Sequence, residues 1–499
     1  MPSLQDILSL SLDRNSENIA FSFSSKSFTY FELRNRITYF QKVLFHNSQP
    51  IESIGIIANQ DFDTYSVLLA ALLSGITYVP IEPLHPDDRN NRIIRISKIK
   101  AIYCSDYATL RPDFYKTNKL LFQEITPETN DSEKIEVTET ENPVYILFTS
   151  GSTGVPKGVP IFMKNLDAFT KNVNNMKLGI SEKSRFLQVF DLTFDLSVFS
   201  HLIPLLNGAS VFTAPKTSFI QMAAIQLIEE QKITHVLTVP SLINHLKPLF
   251  PKIKLPSVTN WLFCGEALKS DLVAAWQKCL PEADIYNVYG PTEATIFCTS
   301  YLCNTTNLKH YRGITCIGKP FEGTGFELID ADGRIAGFDT AAELCISGSQ
   351  LTPGYLHDAE KNKTAFLNCD GKTFYRSGDL CLKDEAGDFF FAGRNDSQVK
   401  INGYRVEISE LEYHAAQFPG IEECVAFVSV TEKSDQQLNL AYTSRHGLDN
   451  DTIISHLATK IPAYMLPANI YFVSSIPHNL NGKIDKQALT ELINQTNKK

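Results

Sequence analysis

The chain has 499 residues, of which 43% are hydrophobic and 20% charged, as in an ordinary globular protein with core enough for about two to four domains. Its formal charge of -9 and its short basic runs argue against a nucleic-acid-binding surface. Small-molecule chemistry is therefore the better expectation.

The cysteines and the N-terminus indicate a compartment. The ten cysteines are scattered, without a CxxC pair or a Cys/His ligand spacing, which is typical of a reducing environment. The N-terminus shows no signal-peptide pattern, and no run of roughly 18 apolar residues could span a bilayer. We expect a cytoplasmic protein without a membrane partner.

The first part of the chain alternates strands and helices. Residues 28–30 predict a short strand before a helix, and residues 54–58 predict a buried strand. An apolar helix follows, capped near Asp61 or Asp63 and ended by Gly75. This alternation is typical of a parallel α/β sheet.

Residues 145–160, YILFTSGSTGVPKGVP, predict a strand that runs directly into a phosphate-binding loop. Glycines can turn backbone N–H groups toward an anion, hydroxyls add donors, and Lys157 adds a positive charge. The P-loop pattern is absent, because Pro156 precedes the lysine and Gly158 follows it. A surface linker is the alternative interpretation.

The region after this loop repeats the pattern of strand, loop and helix, with a helix expected near residues 164–176. Right-handed crossovers onto a parallel sheet are the default topology, and ligands bind beyond the carboxyl ends of such strands. Loops at Thr149, Asp195, Gly265 and Gly290 all leave strands at that end.

From about residue 318 the pattern changes to short strands with turn signals, which predicts an antiparallel, barrel-like subdomain. The last hundred residues predict a small α+β unit that begins with two strands joined at Asn402-Gly403. Residues 393–396 lie at the junction and form a plausible hinge. We expect a core domain over residues 1–395 and a C-terminal domain over 396–499.

Six motifs, in order, resemble those of the acyl-adenylate-forming enzymes: TSGSTGVPKG, YGPTEAT, YRSGDL, GRNDSQVKINGYRVE, IPAYMLP and NLNGKIDKQAL. Within that superfamily the chain resembles amino-acid adenylation domains of nonribosomal peptide synthesis and D-alanine–carrier protein ligases. The resemblance covers nearly the whole chain. It implies a large N-terminal domain of two parallel-type αβα sheets plus a distorted β-barrel, and a small mobile α+β C-terminal lid.

The resemblance implies activation of a carboxylate with ATP and Mg²⁺, then transfer of the acyl group to a thiol. Such chemistry needs charge neutralisation and in-line positioning more than an acid or a base. Thr292 would donate to the α-phosphate and Glu293 would bind Mg²⁺. The loop would hold the β- and γ-phosphates through Thr149, Ser150, Gly151, Ser152, Thr153, Gly154 and Lys157.

The nucleoside would lie against three further residues implied by the resemblance. Tyr289 would cover the adenine, Asp379 would accept both ribose hydroxyls, and Arg394 would lie close to the ribose and phosphate. Two structural alternatives stay open: Asp379 could cap a turn, and Glu293 could cap the helix that it opens.

Lys483 resembles the family's catalytic lysine, which bridges the substrate carboxylate and the α-phosphate. Read alone, it would be an exposed lysine without a role. Its place in the small domain implies that this domain closes for adenylation and then swings away, with Asp396 as the pivot. The hairpin at Gly403 would then admit a pantetheine arm.

Asp195 stands where amino-acid-activating members of the superfamily keep an aspartate for the α-ammonium. A buried carboxylate needs such a cationic partner. In the alternative, Asp195 caps the following helix while Asp191 binds the substrate.

The rest of the implied pocket is apolar, which favours a small apolar amino acid over a charged one. FCGEAL resembles the D-alanine ligases, but other segments depart from them, so D-alanine is only one candidate. Cys264 could line the substrate site or simply pack as a small hydrophobic residue. The implied lining is Leu196, Phe199, Leu237, Leu262, Cys264, Val288, Ile296 and Phe297.

No carrier-protein motif follows Lys499 and no condensation region precedes Met1, so we expect a free-standing enzyme that needs an acyl or peptidyl carrier protein in trans. Two alternatives differ from this hypothesis. The chain could deliver its acid to coenzyme A, or it could be an inactive nucleotide-binding regulator. The presence of Thr292, Glu293, Asp379 and Lys483 argues against the regulator.

Overall fold

The computed structural model describes residues 3–24, 26–45, 51–106, 134–151, 154–217, 219–369, 371–396, 398–401, 403–430, 436–477, 488–489 and 491–493. The chain forms two compact units. The larger comprises Met1–Pro83, Ile94–Phe148 and Gly158–Asp396, and the smaller comprises Leu84–Ile93, Thr149–Lys157 and Ser397–Lys499. The sequence-based domain limits, which place residues 84–93 and 149–157 in the core, stay a prediction.

The helices are numbered in chain order. They are α1 (Leu4–Arg14), α2 (Tyr30–Phe45), α3 (Phe62–Leu73), α4 (Asp87–Ile96), α5 (Met163–Asn175), α6 (Asp195–Leu206), α7 (Ile220–Gln231), α8 (Pro240–Asn244), α9 (Ser270–Gln277), α10 (Ala359–Ala365), α11 (Ile408–Ala415) and α12 (Asn450–Ala458).

The strands are numbered in the same way. They are β1 (Ile19–Phe23), β2 (Lys26–Thr29), β3 (Ser53–Ile57), β4 (Thr77–Ile81), β5 (Ala101–Tyr103), β6 (Tyr145–Thr149), β7 (Lys157–Ile161), β8 (Arg185–Gln188), β9 (Ser210–Thr213), β10 (His235–Thr238), β11 (Asn260–Phe263), β12 (Asp284–Tyr289), β13 (Thr299–Leu302), β14 (His310–Tyr311), β15 (Ile314–Thr315), β16 (Lys319–Pro320), β17 (Thr324–Ile329), β18 (Ala342–Gly348), β19 (Phe366–Cys369), β20 (Lys372–Lys383), β21 (Phe389–Arg394), β22 (Gln398–Ile401), β23 (Tyr404–Glu407), β24 (Glu423–Val430), β25 (Gln436–Thr443) and β26 (Asn469–Phe472).

The larger unit contains a nine-stranded sheet in the order β16-β13-β12-β11-β10-β8-β9-β1-β2. Its centre, from β12 to β1, is parallel, and its two edges are antiparallel. Because the central strands run in one direction, their carboxyl ends meet at one edge of the sheet. The loops that follow β8, β11 and β12 therefore start on that same edge.

Two further sheets complete the larger unit. One has the order β5-β3-β4-β6-β7, and its pairs β3–β4, β3–β5 and β4–β6 are parallel. The other is antiparallel, in the order β17-β18-β20-β19 with β21 paired to β20. This curled sheet is a half-barrel, so the prediction of two αβα sheets with a distorted barrel is confirmed, with antiparallel edge strands added.

The smaller unit is an α+β unit, as the sequence predicts. The hairpin β22–β23 precedes α11, and β24, β25 and β26 form a three-stranded sheet. Its core includes Val406, Leu411, Leu440, Leu457 and Met465, which are all fully buried.

The prediction of a strand through residue 30 is wrong by one residue, since β2 ends at Thr29 and Tyr30 begins α2. The reason is a capping box. Glu32 accepts the backbone N–H of Thr29 at 2.7 Å, and the Thr29 hydroxyl accepts the N–H of Glu32 at 3.2 Å. For α3, the cap is Asp61, which accepts the N–H of Thr64 at 2.8 Å.

Along the described ranges, none of the helices combines the length and the apolar character that crossing a membrane requires.

His201 makes the stability of the larger unit sensitive to acid. It lies on α6 with 1% of its surface exposed, and its ring centre lies 5.4 Å from that of Tyr65. Burial lowers the pKa of His201 from 6.5 to about 4. The unfolded chain therefore binds a proton that the folded chain excludes between these two pH values, so stability falls as the pH falls through this window.

We predict that His201→Phe removes this contribution. The wild type should lose about 3 kcal/mol more than the variant between pH 7 and pH 4, from about 1.4 kcal/mol per pKa unit. Urea midpoints measured at several pH values check the difference. Parallel pH profiles for the two proteins would contradict it.

Candidate active site

The predicted substrate residues lie along one edge of the nine-stranded sheet. Leu237 on β10 and Leu262 on β11 are register partners on adjacent parallel strands. Cys264 follows β11 directly, and Val288 lies near the end of β12. Sequence-distant residues thus reach one place because parallel strands end together.

The eight predicted lining residues are all buried and belong to one hydrophobic cluster. Each has at most 5% of its surface exposed. The rings of Phe199 and Phe169 lie 5.5 and 4.9 Å from that of Phe297, centre to centre. Three aromatic rings therefore pack against one another within the cluster.

Asp195 is the first residue of α6, is 9% exposed and directly precedes Leu196, a member of this apolar cluster. The N-cap residue of α6 is Phe194 rather than Asp195. The alternative Asp191 is 2.8 Å from the ammonium of Lys216. Asp191 therefore has a cationic partner within the protein. The predicted role of Asp195 as the ammonium-binding residue stays a prediction.

The segment after the YGPTEAT motif is strained. Thr295 and Ile296 have φ values of 58° and 70°, in the left-handed region that β-branched residues avoid. A Cβ on Gly290 would lie 2.4 Å from the Cα of Phe297, so only glycine allows this approach. Two such residues cost about 1–3 kcal/mol each, and the surrounding contacts must offset this cost.

Glu293 lies on a short 3-10 turn, Thr292–Ala294, and is fully buried. Its Oε1 accepts the hydroxyl of Tyr355 at 2.7 Å, and that hydroxyl lies 3.4 Å from the hydroxyl of Tyr375. The N-cap residue of the turn is Pro291. The alternative interpretation, in which Glu293 caps the helix that it opens, is therefore not what the structure has.

A magnesium ion bound with ATP needs one or two protein carboxylates besides the phosphates. Glu293 fits this need, because it is a single buried carboxylate beside Thr292. In the described part of the chain, no group of three or more His, Cys, Asp or Glu residues could hold a metal ion.

Asp379 lies within β20 and accepts two hydrogen bonds. The Tyr289 hydroxyl donates to its Oδ2 at 2.6 Å, and an Arg394 N–H donates to its Oδ1. Burial, reinforced by the Asp379 charge, raises the pKa of Tyr289 well above its usual value. The carboxylate is therefore fixed in orientation, and it does not cap a turn.

Arg394 also binds Asp396, the predicted pivot, through Nε at 2.7 Å and Nη2 at 2.6 Å. This bidentate pair is the geometry in which arginine binds a carboxylate best. A Cβ on Gly378 would lie 2.5 Å from Oδ2 of Asp396, and the φ of 73° at Gly378 independently favours glycine.

The described part of the phosphate loop belongs to the smaller unit, where its donors already bind acidic groups. The Lys157 ammonium lies 3.0 Å from Oε1 of Glu407, and the Gly151 N–H donates to Oε2 of Glu410 at 3.2 Å. The Ser150 hydroxyl donates to a backbone carbonyl at 2.8 Å. In this structure the loop thus presents an ammonium and a backbone N–H to carboxylates, and its phosphate-binding role stays a prediction.

Further observations concern the loop and the hairpin at Gly403. The Thr149 hydroxyl is buried and is without a hydrogen-bond partner in the described structure. Gly154 and Gly403 have positive φ values of 72° and 83°. Ser152, Thr153 and Lys483 lie outside the described residues, so their predicted roles stay predictions.

Several functional contacts escaped the sequence analysis. Tyr355 bonds Glu293, Gln350 bonds the strained segment, and Glu407 and Glu410 bond the phosphate loop. Tyr355 and Gln350 both lie in one short segment, QLTPGYL at residues 350–356, whose Pro-Gly pair indicates a turn. Their partners are more than 50 residues away, and a single sequence carries no such pairing.

The chain matches the family model "AMP-binding enzyme" over residues 9–356 and the model "AMP-binding enzyme C-terminal domain" over residues 410–483. The first match covers more than half of the 499 residues. The chain therefore belongs to the AMP-binding enzyme family. The resemblance to acyl-adenylate-forming, AMP-forming ligases of the adenylation-domain type is confirmed at this level.

Curated relatives point the same way. The chain is 30% identical to the D-alanine–D-alanyl carrier protein ligase of Lactiplantibacillus plantarum, over 89% of either chain. It is 30% identical to one polypeptide of plipastatin synthase and 27% identical to one of surfactin synthase, both of Bacillus subtilis, over 88% and 96% of this chain. The chain spans only 12% and 38% of the lengths of these two synthase polypeptides.

Solved structures share the fold. The adenylation domain AlmE of Vibrio cholerae, in complex with glycyl-adenosine-5'-phosphate, has a TM-score of 0.85 at 23% identity, over 99% of this chain and 98% of the other. A holo NRPS protein with adenylation and PCP domains has a TM-score of 0.85 at 26% identity, over 98% of this chain and 84% of the other.

The Arg89–Glu410 pair yields a stability prediction for the smaller unit. The Arg89 Nη1 lies 2.8 Å from Oε1 of Glu410, and both side chains are at most 3% exposed. Burial raises the pKa of Glu410, and the Arg89 charge opposes this shift.

We predict that Arg89→Met and Glu410→Leu each cost about 3–5 kcal/mol, because each leaves a buried charge without its partner. The double variant should cost less than either single one, since it removes both charges. Urea denaturation of the four proteins gives the coupling free energy. If the cost of the double variant equals the sum of the two single costs, the attraction between Arg89 and Glu410 does not offset the cost of burying their charges.

Proposed function

We propose that the chain activates a small apolar amino acid with ATP, forms an aminoacyl-adenylate and pyrophosphate, and transfers the aminoacyl group to the phosphopantetheine thiol of a carrier protein supplied in trans. In the first step a substrate carboxylate oxygen bonds to the α-phosphorus and pyrophosphate leaves. In the second, the thiolate sulfur attacks the activated carbonyl carbon and AMP leaves.

The placement of Asp195 carries this proposal. A carboxylate that is 9% exposed, on the residue directly before Leu196 of the apolar lining cluster, fits a ligand with one cationic group and a small hydrocarbon part. Fatty and aryl acids would offer no cation to Asp195. The crowding of Phe199 and Phe297 supports a side chain no larger than a few carbon atoms.

Three residues of the larger unit would bind the nucleoside of ATP. The Asp379 carboxylate, oriented by Tyr289 and Arg394, offers acceptor oxygens for the ribose hydroxyls. The phenol ring of Tyr289 offers an aromatic face to the adenine. Ribose binding then exchanges hydrogen bonds that Asp379 makes within the protein, which limits the net gain.

The phosphate loop would hold the β- and γ-phosphates. Lys157 and the Gly151 N–H bind carboxylates in this structure, which supports a site built for anions. Thr292 would donate to the α-phosphate. Mg²⁺ held by Glu293 would neutralise phosphate charge during the attack.

Lys483 would offset the charge that builds as two anions approach, and it is the proposed catalytic lysine. We also propose Asp396 as the hinge between the two half-reactions and Gly403 as the passage for the pantetheine arm. The carrier protein as acceptor is supported by the D-alanyl carrier protein ligase relative, of which this chain covers 89%.

ATP–pyrophosphate exchange tests the proposal directly. The screen should include D- and L-amino acids, aryl acids and fatty acids. We expect the highest exchange with a small apolar amino acid and none with Lys483→Ala, which should still bind ATP. Exchange that is confined to aryl or fatty acids, or undiminished exchange in Lys483→Ala, would contradict the assignment. A thiolation assay with holo-carrier protein and with coenzyme A then identifies the acceptor.

Asp195→Asn tests the ammonium contact separately. The substitution keeps the size and one acceptor oxygen but removes the charge and the second acceptor, so it should lower kcat/KM for the amino acid by about 100-fold. The corresponding des-amino acid should change little, because it has no ammonium to lose. Exchange kinetics with both acids give the comparison. An equal loss for both would show that Asp195 acts on the fold rather than on the substrate.

A further inference from the structure

We infer that Gln350 is a positioning residue that sets the shape of the amino-acid pocket by holding the strained segment 294–297. This inference rests on the proposed function. Gln350 lies just after β18, is 1% exposed, and touches neither Asp195 nor the nucleoside residues in any contact that the structure gives it.

The side-chain amide of Gln350 faces three backbone carbonyls of the strained segment. Its Nε2 lies 3.2 Å from the oxygen of Ala294, 3.3 Å from that of Thr295 and 3.0 Å from that of Phe297. The two N–H groups of the amide therefore face three acceptor oxygens, so one N–H group is shared between two oxygens. Buried carbonyls need such partners, and here one side chain supplies all three.

Thr295 bonds back to Gln350, and Asn172 holds the Gln350 side chain from its other end. The Thr295 hydroxyl donates to the backbone oxygen of Gln350 at 2.5 Å, and the Asn172 amide donates to Oε1 of Gln350 at 2.9 Å. Two residues further on, the N–H of Thr352 donates to the carbonyl of Glu293 at 2.8 Å. Segment 350–352 thus binds 293–297 at several points, and Asn172 fixes which way the amide points.

Segment 294–297, which Gln350 holds, contributes two residues to the predicted amino-acid pocket. Ile296 and Phe297 are predicted lining residues, and Thr295 and Ile296 have the unfavourable positive φ values. A backbone held against its preference relaxes when its restraints are removed. Relaxation would move the Ile296 side chain and the Phe297 ring, whose positions determine how large a substrate side chain fits.

Gln5 provides a matched control elsewhere in the larger unit. It is 2% exposed, and its Nε2 also lies near three backbone carbonyls, those of Leu72, Leu73 and Thr138, at 2.9, 3.4 and 3.2 Å. None of these carbonyls belongs to the pocket. Gln5→Leu therefore removes a comparable set of hydrogen bonds without touching segment 294–297.

The experiment compares Gln350→Leu, Gln350→Glu and Gln5→Leu with the wild type in ATP–pyrophosphate exchange. Gln350→Glu keeps an acceptor toward Asn172 but loses both donors. The readout is the ratio of kcat/KM for the best amino acid to that for its homologue one methylene larger. A methylene in an apolar pocket is typically discriminated by about 10- to 200-fold.

We expect both Gln350 variants to lower this ratio by about tenfold or more, with a raised KM for the amino acid. Gln5→Leu should lower Tm similarly but leave the ratio within about twofold of the wild type. A Gln350 variant with a lower Tm and an unchanged ratio would overturn the inference. If Gln350→Leu does not fold, Asn172→Ala removes the orienting donor, together with the Asn172 bond to the Glu322 carbonyl. It should shift the ratio in the same direction, and an unchanged ratio there would also count against the inference.

Failure of the proposed function can be distinguished from failure of the positioning role of Gln350. A wild type that catalyses exchange with no amino acid contradicts the proposed function itself. A wild type that is active and selective, with Gln350 variants that stay equally selective, contradicts only the positioning role.

Discussion

A buried carboxylate needs a compensating partner, and this requirement determines much of the local structure within each of the two units. Removing a carboxylate from water costs several kcal/mol unless donors or cations replace the lost hydration. Asp379 has Tyr289 and Arg394, Glu293 has Tyr355, and Glu410 has Arg89. These partners come from distant parts of the sequence, so the charges tie together the segments that carry them.

The fold class could be predicted from the sequence because its signals are local. Apolar runs, caps and glycine-rich turns marked most strands and helices, and the capping pair of Thr29 and Glu32 could have corrected the start of α2. Parallel strands between helices then fixed the edge at which ligands bind. Six ordered motifs supplied the family, and the comparisons confirm it.

The contacts that orient these residues could not be predicted in the same way. The motifs single out Asp379 and Glu293 as carboxylates of interest, yet nothing in them indicates that Tyr355 bonds Glu293. The left-handed conformation of Thr295 and Ile296 could not be predicted from the sequence either, because β-branched residues ordinarily avoid positive φ. Tertiary contacts overrule local preference here, as they often do at functional sites.

The strained segment also limits what a list of lining residues can say about the substrate. Leu196 and Phe199 lie on a regular helix and Leu237 and Leu262 on regular strands, so their positions follow from the fold. Ile296 and Phe297 instead lie on a backbone that is held in place by Gln350 and by the absence of a side chain at Gly290. Two chains with identical lining residues but different restraints on this segment would present pockets of different size. About 30% identity to a D-alanyl carrier protein ligase therefore supports the reaction class better than it supports D-alanine.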